Sequence, residues 1–370
     1  MRVCYFGSYD PTYPRNRILL KGMIRNDIDT IECNAPLRRS FKPSSRYRNF
    51  LSRIGLGSKS LPIKYLSLIK KHAVCNYDVM LVGYLAHPVF PLAKMISRKP
   101  KVIDIFYSLY DTLVFDRKIF DQGSFKSKIL YYLDKLACDS SDIILLDTNQ
   151  HIEYFSKTFG IERKKFKRIF VGSDDEVFYP RGAKKKKTDF SVLFVGSFIP
   201  LQGIEYIIRS AKILEKENII FEIIGIGQTY NEMKKLCKEL NCMNVKFLGW
   251  QDYESLPIYY SKADLCLGIF GNTSKAKRVI PNKVFDGLAM GKPIVTGDSP
   301  AAREAFIDGR HCILCEMANP EALADSILKL KEDGELRDKI AKNGYSLFKE
   351  RFCPKVIGKE LNVHLQELVK

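Results

Sequence analysis

Short apolar, β-branched runs recur along this chain with helical segments between them, and that alternation constrains the fold more than any other feature. In the first half the runs are Val3 to Phe6, Val79 to Val82, Val102 to Phe106, Ile143 to Leu146 and Lys167 to Val171. In the second they are Val192 to Val195, Phe221 to Ile224, Val245 to Leu248, Leu265 to Ile269, Ile294 to Thr296 and Cys312 to Leu314. Strands that alternate with helices form parallel sheets covered on both faces. Two such sets in tandem predict an α/β protein of two Rossmann-like, doubly wound parallel-sheet domains, and 370 residues suffice for both. The join is expected near GSDDEVFYPRGAKKKKTDF (172–190), whose four consecutive lysines read as a solvated linker. The resulting division is 1–178, 179–352 and a closing helix over 353–370 that packs back on the first domain.

Parallel sheets bind ligands outside the carboxyl ends of their strands, at glycine turns and helix N-termini. Four turns stand there: Phe6-Gly7, Gly196-Ser197, Ile224-Gly225-Ile226-Gly227 and Leu248-Gly249-Trp250. Two domains facing each other across such edges would make a cleft for a phosphate-bearing ligand. Neither a P-loop nor a complete Gly-x-Gly-x-x-Gly fingerprint is present.

The stretch VIPNKVFDGLAMGKPIVTGD (279–298) predicts a short helix that stops at Gly291, followed by a buried strand. Val284, Phe285, Leu288 and Ala289 form its apolar face. The opposite face carries Lys283, Asp286, Gly287 and Met290, too few long charges for a plainly solvated surface. Lys283 and Asp286 fit either a ligand site or an i,i+3 surface ion pair.

The net charge of +18 is uneven: residues 1–178 hold 30 basic against 18 acidic residues. Such an excess favours an anionic partner. RRSFKPSSRYRNFLSRIGLGSK (38–59) concentrates it, with seven basic residues, no acidic one and interleaved aromatics. That pattern suits an anionic membrane surface. Single-stranded nucleic acid is the weaker reading, because no nucleic-acid-binding motif accompanies it. The ten cysteines are scattered; Cys312-x-x-Cys315 points to opposite strand faces and lacks a second pair at zinc spacing. Free thiols without a signal peptide indicate the cytoplasm. No apolar run approaches a membrane span, so membrane contact is expected to be peripheral.

Three segments resemble successive parts of the second domain of family 4 glycosyltransferases of the GT-B fold: FVGSFIPLQGIEYIIRSAKIL (194–214), FLGWQDYESLPIYYSKADLCL (247–267) and IPNKVFDGLAMGKPIVTGDSPAAREAF (280–306). PRNRILLKGM (14–23), DIFYSLYDTLVFDRK (104–118) and VGSDDEVFYP (171–180) support the resemblance in the first half. It implies retaining transfer of a sugar from a nucleotide-diphosphate sugar, with no metal or other cofactor. Asp27-Ile28-Asp29, the only Asp-x-Asp pair, reads as a turn.

Carried over by position, the resemblance assigns Gly196 to the loop beside the donor diphosphate. Relatives usually have an arginine and a lysine where this chain has Ser197 and Gln202. A pair of glutamates falls on Arg278 and Asp286, the latter expected at the ribose. Pro281-Asn282-Lys283 follows a form seen in some relatives, and Lys283, with Arg278 or Lys277, is expected to supply the charge that position 202 lacks. Gly225, Gly227 and Trp250 would face the nucleobase. In the first domain the loop after Gly7 offers Arg15 and Arg17 to the phosphates, although both also suit a basic helix start. Asp111 is a candidate for orienting the acceptor or the sugar, but Ser108-x-x-Asp111 fits a capping box as well. His87 reads as a residue that starts a helix. The expected activity is hexosyl transfer from a UDP- or GDP-sugar to a lipid-linked or glycan acceptor. The alternatives are a catalytically silent nucleotide-sugar-binding or complex-forming subunit and, less favoured, a nucleotide-sugar epimerase.

Overall fold

The computed structural model describes residues 1–36, 61–84, 87, 89–182 and 189–369, so the basic segment 38–59 and the four linker lysines lie outside the described residues. The chain divides into two compact units. One runs to Val171 and resumes with the closing helix from Pro354; the other is Gly172–Cys353. The boundary falls at 171 rather than 178 because the intervening residues are tied into the second unit. Ser173 donates its N–H to Phe352 O at 3.2 Å, and the Phe178 ring lies 5.2 Å from Tyr253 and 5.6 Å from Tyr260.

The first unit holds a six-stranded sheet in the order β2-β1-β3-β4-β5-β6, with every pairing parallel. Its strands are β1 (Arg2–Gly7), β2 (Asp29–Asn34), β3 (Val79–Val82), β4 (Lys101–Asp104), β5 (Ile143–Leu146) and β6 (Phe166–Arg168). Successive side chains point to opposite faces, so β1 sends Val3 and Tyr5 into one core and Cys4 and Phe6 into the other. The second core is closed by helices that include Phe90–Ile96, Phe125–Asp139 and Asn149–Phe159. The first is closed by Pro14–Ile24 and the final helix Pro354–Gln366, through Ile18, Leu19, Met23, Ile357 and Leu361. These two helices nearly touch: a Cβ on Gly358 would lie 2.1 Å from the Gly22 carbonyl oxygen. Only glycine at both positions permits that approach.

The second unit repeats the architecture, with parallel order β12-β11-β10-β7-β8-β9. Its strands are β7 (Phe190–Val195), β8 (Ile219–Ile224), β9 (Val245–Gly249), β10 (Leu265–Leu267), β11 (Ile294–Gly297) and β12 (Ile313–Cys315). Helix Ile204–Ile213 buries Ile204, Ile207, Ile208 and Ala211, one face at helical spacing. Ser299, Asn319 and Asp333 cap the helices that follow them, each accepting an N–H from three residues on.

The two sheets are the doubly wound pair expected from the alternation, and the runs Val79–Val82 and Ile143–Leu146 are strands without adjustment. Three expected strands end early, Leu265 to Ile269 stopping at Leu267, and two of them do so for visible reasons. After Asp104 the chain turns away, with Phe106 at φ 49°. After Arg168 the carbonyls of Ile169 and Phe170 accept hydrogen bonds from Arg15 instead of continuing the ladder. Among the described residues no helix is long and apolar enough to cross a membrane.

Candidate functional site

In the second sheet the chain steps from β7 outward to β8 and β9, then returns to place β10 on the other side of β7. The carboxyl ends of β7 and β10 therefore flank a topological switch point, where open parallel sheets bind ligands. Lys283 occupies it. This residue sits in the first turn of helix Asn282–Ala289, whose N-cap residue, Pro281, makes no side-chain cap. Its ammonium donates to the side-chain carbonyl of Gln202, lies 3.5 Å from Gly268 O and sits 3.5 Å from the centre of the Phe194 ring. Gly196 leaves room for it: a Cβ there would lie 2.6 Å from Nζ.

These neighbours are amide oxygens and an aromatic face, and burial pushes the Lys283 ammonium well below its ordinary pKa. A buried cation partnered by neutral groups is stabilised when an anion arrives. The uncapped N–H groups of the same helix add to that preference. Lys283 and Gln202, linked in the sequence reading by the charge that position 202 lacks, are thus in direct contact.

Asp286 lies one turn further along, also buried. Its Oδ1 accepts from the Ser173 hydroxyl at 2.6 Å. Burial pushes its carboxyl up to about 7, opposed by the Ser173 hydrogen bond and reinforced by Asp174. The surface ion pair between Lys283 and Asp286 does not form, because both side chains turn inward to different partners. Gly287 is needed for packing: a Cβ there would lie 2.4 Å from Ile294 Cδ1.

The glycine turns around Lys283 fold against one another. Phe198 donates its N–H to Ile226 O at 3.1 Å and accepts from Thr229 N–H at 3.0 Å. Gly225, at φ 134°, would set a Cβ 1.9 Å from Gly196 O. Gly227 would set one 2.5 Å from Phe198 O. Backbone packs on backbone here, which is why glycine is needed. Ser197 is exposed beside Gly196, Asn282 is half-buried, and Trp250 is 42% exposed. Arg278 is half-buried in the turn before the helix, its N–H donating to Lys275 O at 2.9 Å.

In the first unit Arg15 is a core residue. It is fully buried, with Nε 3.0 Å from Asp104 Oδ2 and Nη2 3.0 Å from Asp104 Oδ1. Its Nη1 donates to Ile169 O and Phe170 O at 2.8 and 2.9 Å. The helix begins at Pro14 and points Arg15 into the unit, while Arg17, two residues on, is half-buried. Gly7 ends β1 with its carbonyl accepting from Ala35 N–H at 3.0 Å.

Asp111 is buried at the start of a π-helical turn, Asp111–Asp116, and its N–H donates to Ser108 Oγ at 2.9 Å. Behind it stands Asp134, a residue without a sequence motif. It accepts from Ser108 Oγ at 2.5 Å and from the N–H groups of Leu109 and Tyr110, and its Oδ1 lies 3.2 Å from His87 Nε2. His87 is therefore buried against a carboxylate, and the next helix starts only at Phe90. Asp29 of the Asp-x-Asp pair bonds Arg2 at 2.5 Å on the surface.

Residues 176–347, which include Lys283 and all the loops around it, match the family model described as glycosyl transferases group 1. The second unit belongs to that family. The likeness extends beyond that unit. It is 26% identical to an uncharacterized glycosyltransferase of Methanocaldococcus jannaschii over 76% of this chain and 71% of the relative. It is 23% identical to the capsular polysaccharide biosynthesis glycosyltransferase CapM of Staphylococcus aureus over 64% of each. Among solved structures, Anabaena HepE in complex with UDP superposes with a TM-score of 0.73 at 16% identity, covering 100% of both chains. Two Rossmann-like units in one glycosyltransferase are the GT-B fold.

Proposed function

We propose that this glycosyltransferase moves a hexosyl group from a UDP- or GDP-sugar to a glycan or lipid-linked acceptor, with retention of configuration and without a metal. The observation that carries the reading is the Lys283 ammonium, buried beside Gln202 at the switch point of the group 1 domain. Breaking the bond between sugar and diphosphate places negative charge on the leaving phosphate. A preorganised cation at a helix N-terminus stabilises that charge as it develops. Lys283 is the proposed group, substituting for the basic residue that position 202 lacks. Asp286, on the same helix, is the proposed acceptor for the ribose hydroxyls. Asp111 is the proposed residue for orienting the acceptor, held by the Ser108–Asp134 network.

HepE, solved with UDP, supports a uridine donor, and CapM, named for capsular polysaccharide biosynthesis, supports a glycan-building role. A site on the inner face of the membrane is supported by helix Leu61–His72, which exposes Ile63, Leu66 and Ile69 beside Lys64, Lys70 and Lys71. Apolar residues flanked by lysines suit an anionic lipid surface.

Thermal shift with UDP, GDP and their sugars tests the donor, since binding stabilises by RT ln(1+[L]/Kd). One nucleotide series is expected to raise Tm in wild type and not in Lys283→Ala. Slow release of the nucleoside diphosphate from the matching sugar, unaffected by EDTA, is the expected activity. Binding without any release would favour the catalytically silent reading. Co-sedimentation with vesicles that ignores anionic lipid would remove the membrane proposal.

A further inference from the structure

Three cysteines distant in sequence bring their sulfurs within 4.8 Å of one another in the first unit. Cys4 lies on β1, Cys33 on β2, and Cys75 in the turn between helix Leu61–His72 and β3. The sheet register explains the first two. Cys4 pairs with Ile31 and Phe6 with Cys33, so the two cysteines are diagonal neighbours on one face. The turn brings Cys75 to the same face, its thiol donating to the Lys71 carbonyl at 3.1 Å.

We propose that Cys4, Cys33 and Cys75 form a three-thiolate binding site for a soft, thiophilic metal cation. Three sulfurs at about 2.3 Å from a central ion stand about 4.0 Å apart in a trigonal arrangement. The trio needs to contract by less than about 1 Å to reach it. Thiolates select soft ions such as Cu(I), Zn(II) and their heavier congeners over Mg²⁺ or Ca²⁺, which take oxygen. Among the described residues no carboxylate or imidazole joins the cluster, which favours an ion content with three sulfurs.

Access and charge agree with this. Cys4 and Cys33 are fully buried while Cys75 is half-buried, so an ion enters past Cys75. On ligation each thiol releases its proton to solvent, and three thiolates around a divalent ion leave one net negative charge. The Lys71 ammonium, which donates to Asn34 O at 2.6 Å next to Cys33, offsets it. The site lies in a different unit from Lys283. It would join β1, β2 and the turn before β3.

Cadmium titrated into the reduced full-length protein is the test. Wild type is expected to bind one tight equivalent, to show an ultraviolet thiolate-to-metal charge-transfer band of three-sulfur intensity, and to gain thermal stability. Cys75→Ser should lose about a third of the band and at least tenfold in affinity, while the metal-free Tm is unchanged. Cys237→Ser/Cys242→Ser, in the other unit, should behave as wild type. Should Cys75→Ser fail to fold, alkylation of wild type read by mass spectrometry replaces it, with cadmium expected to protect Cys75 selectively. A band indifferent to Cys75, or no protection of Cys75, overturns the site and leaves the trio as core thiols.

Discussion

Lys283 holds its ammonium 3.5 Å from the centre of the Phe194 ring and donates to the side-chain carbonyl of Gln202. The second unit thereby holds a buried amine whose protonated form an anion would stabilise. Lys283→Met should cost at least about 10²-fold in turnover, yet raise the Tm of the ligand-free protein, because an apolar side chain replaces a desolvated charge. The pH sign follows from the depressed folded pKa. Wild-type stability rises as pH climbs from that value towards the unfolded 10.5, and the variant lacks the rise. Calorimetry of both proteins across that window measures it, and a lower Tm in the variant would contradict the assignment.

Gln202→Glu sets a carboxylate where Lys283 now finds an amide oxygen. The new ion pair competes with the donor diphosphate, so KM for the nucleotide sugar should rise about tenfold or more while the free protein is stabilised. Titration calorimetry with UDP or GDP reads the affinity. An unchanged Kd would mean that Lys283 does not meet the phosphates.

Gly196 and Gly225 separate function from folding within one loop pair. At Gly225 an alanine Cβ would meet the Gly196 carbonyl at 1.9 Å with φ at 134°, so Gly225→Ala should cost about 3 kcal/mol or more and reduce soluble yield. At Gly196 the nearest atom is Nζ, at the far end of the Lys283 side chain. Gly196→Ala should fold with a near-native Tm and lose donor affinity, which thermal shift with nucleotide detects.

Asp286 makes stability depend on pH in the opposite sense to Lys283. Its folded pKa of about 7 lies above the ordinary 3.8, so the contribution is complete below about 4 and is lost as pH rises through 7. The slope reaches about 1.4 kcal/mol per pH unit inside that window. Urea unfolding at pH 5 and pH 8 should show Asp286→Asn without this slope and more stable than wild type at pH 8. Donor affinity in the same variant should fall if the carboxylate takes the ribose.

Arg15 and Asp104 are a buried pair 3.0 Å apart, and removing one partner strands the other. Arg15→Ala should therefore destabilise by about 3–5 kcal/mol in denaturant unfolding. A stable Arg15→Ala protein with weakened donor binding would instead return Arg15 to the ligand site.

Most of the strands, both sheets and the group 1 loops were legible because they rest on local information: apolar periodicity, glycine at turns and a helix face around Gly287 with few long charges. The same local information left Arg15 and Arg17 equivalent, since a basic helix start looks alike whichever residue faces inward. It also left Asp134 unmarked in the middle of a helix, and Cys4, Cys33 and Cys75 scattered over seventy-odd positions.

Sequence by itself thus determined the alternation of strand and helix and the family signature at 280–306. Tertiary structure alone decided that Lys283 meets Gln202, that Asp286 meets Ser173, and that Arg15 belongs to the core. The physical reason is range. Hydrophobic periodicity is written within a few residues, whereas the partner of a buried charge is chosen by strand order and register, which bring residues 81 and 113 positions apart into contact.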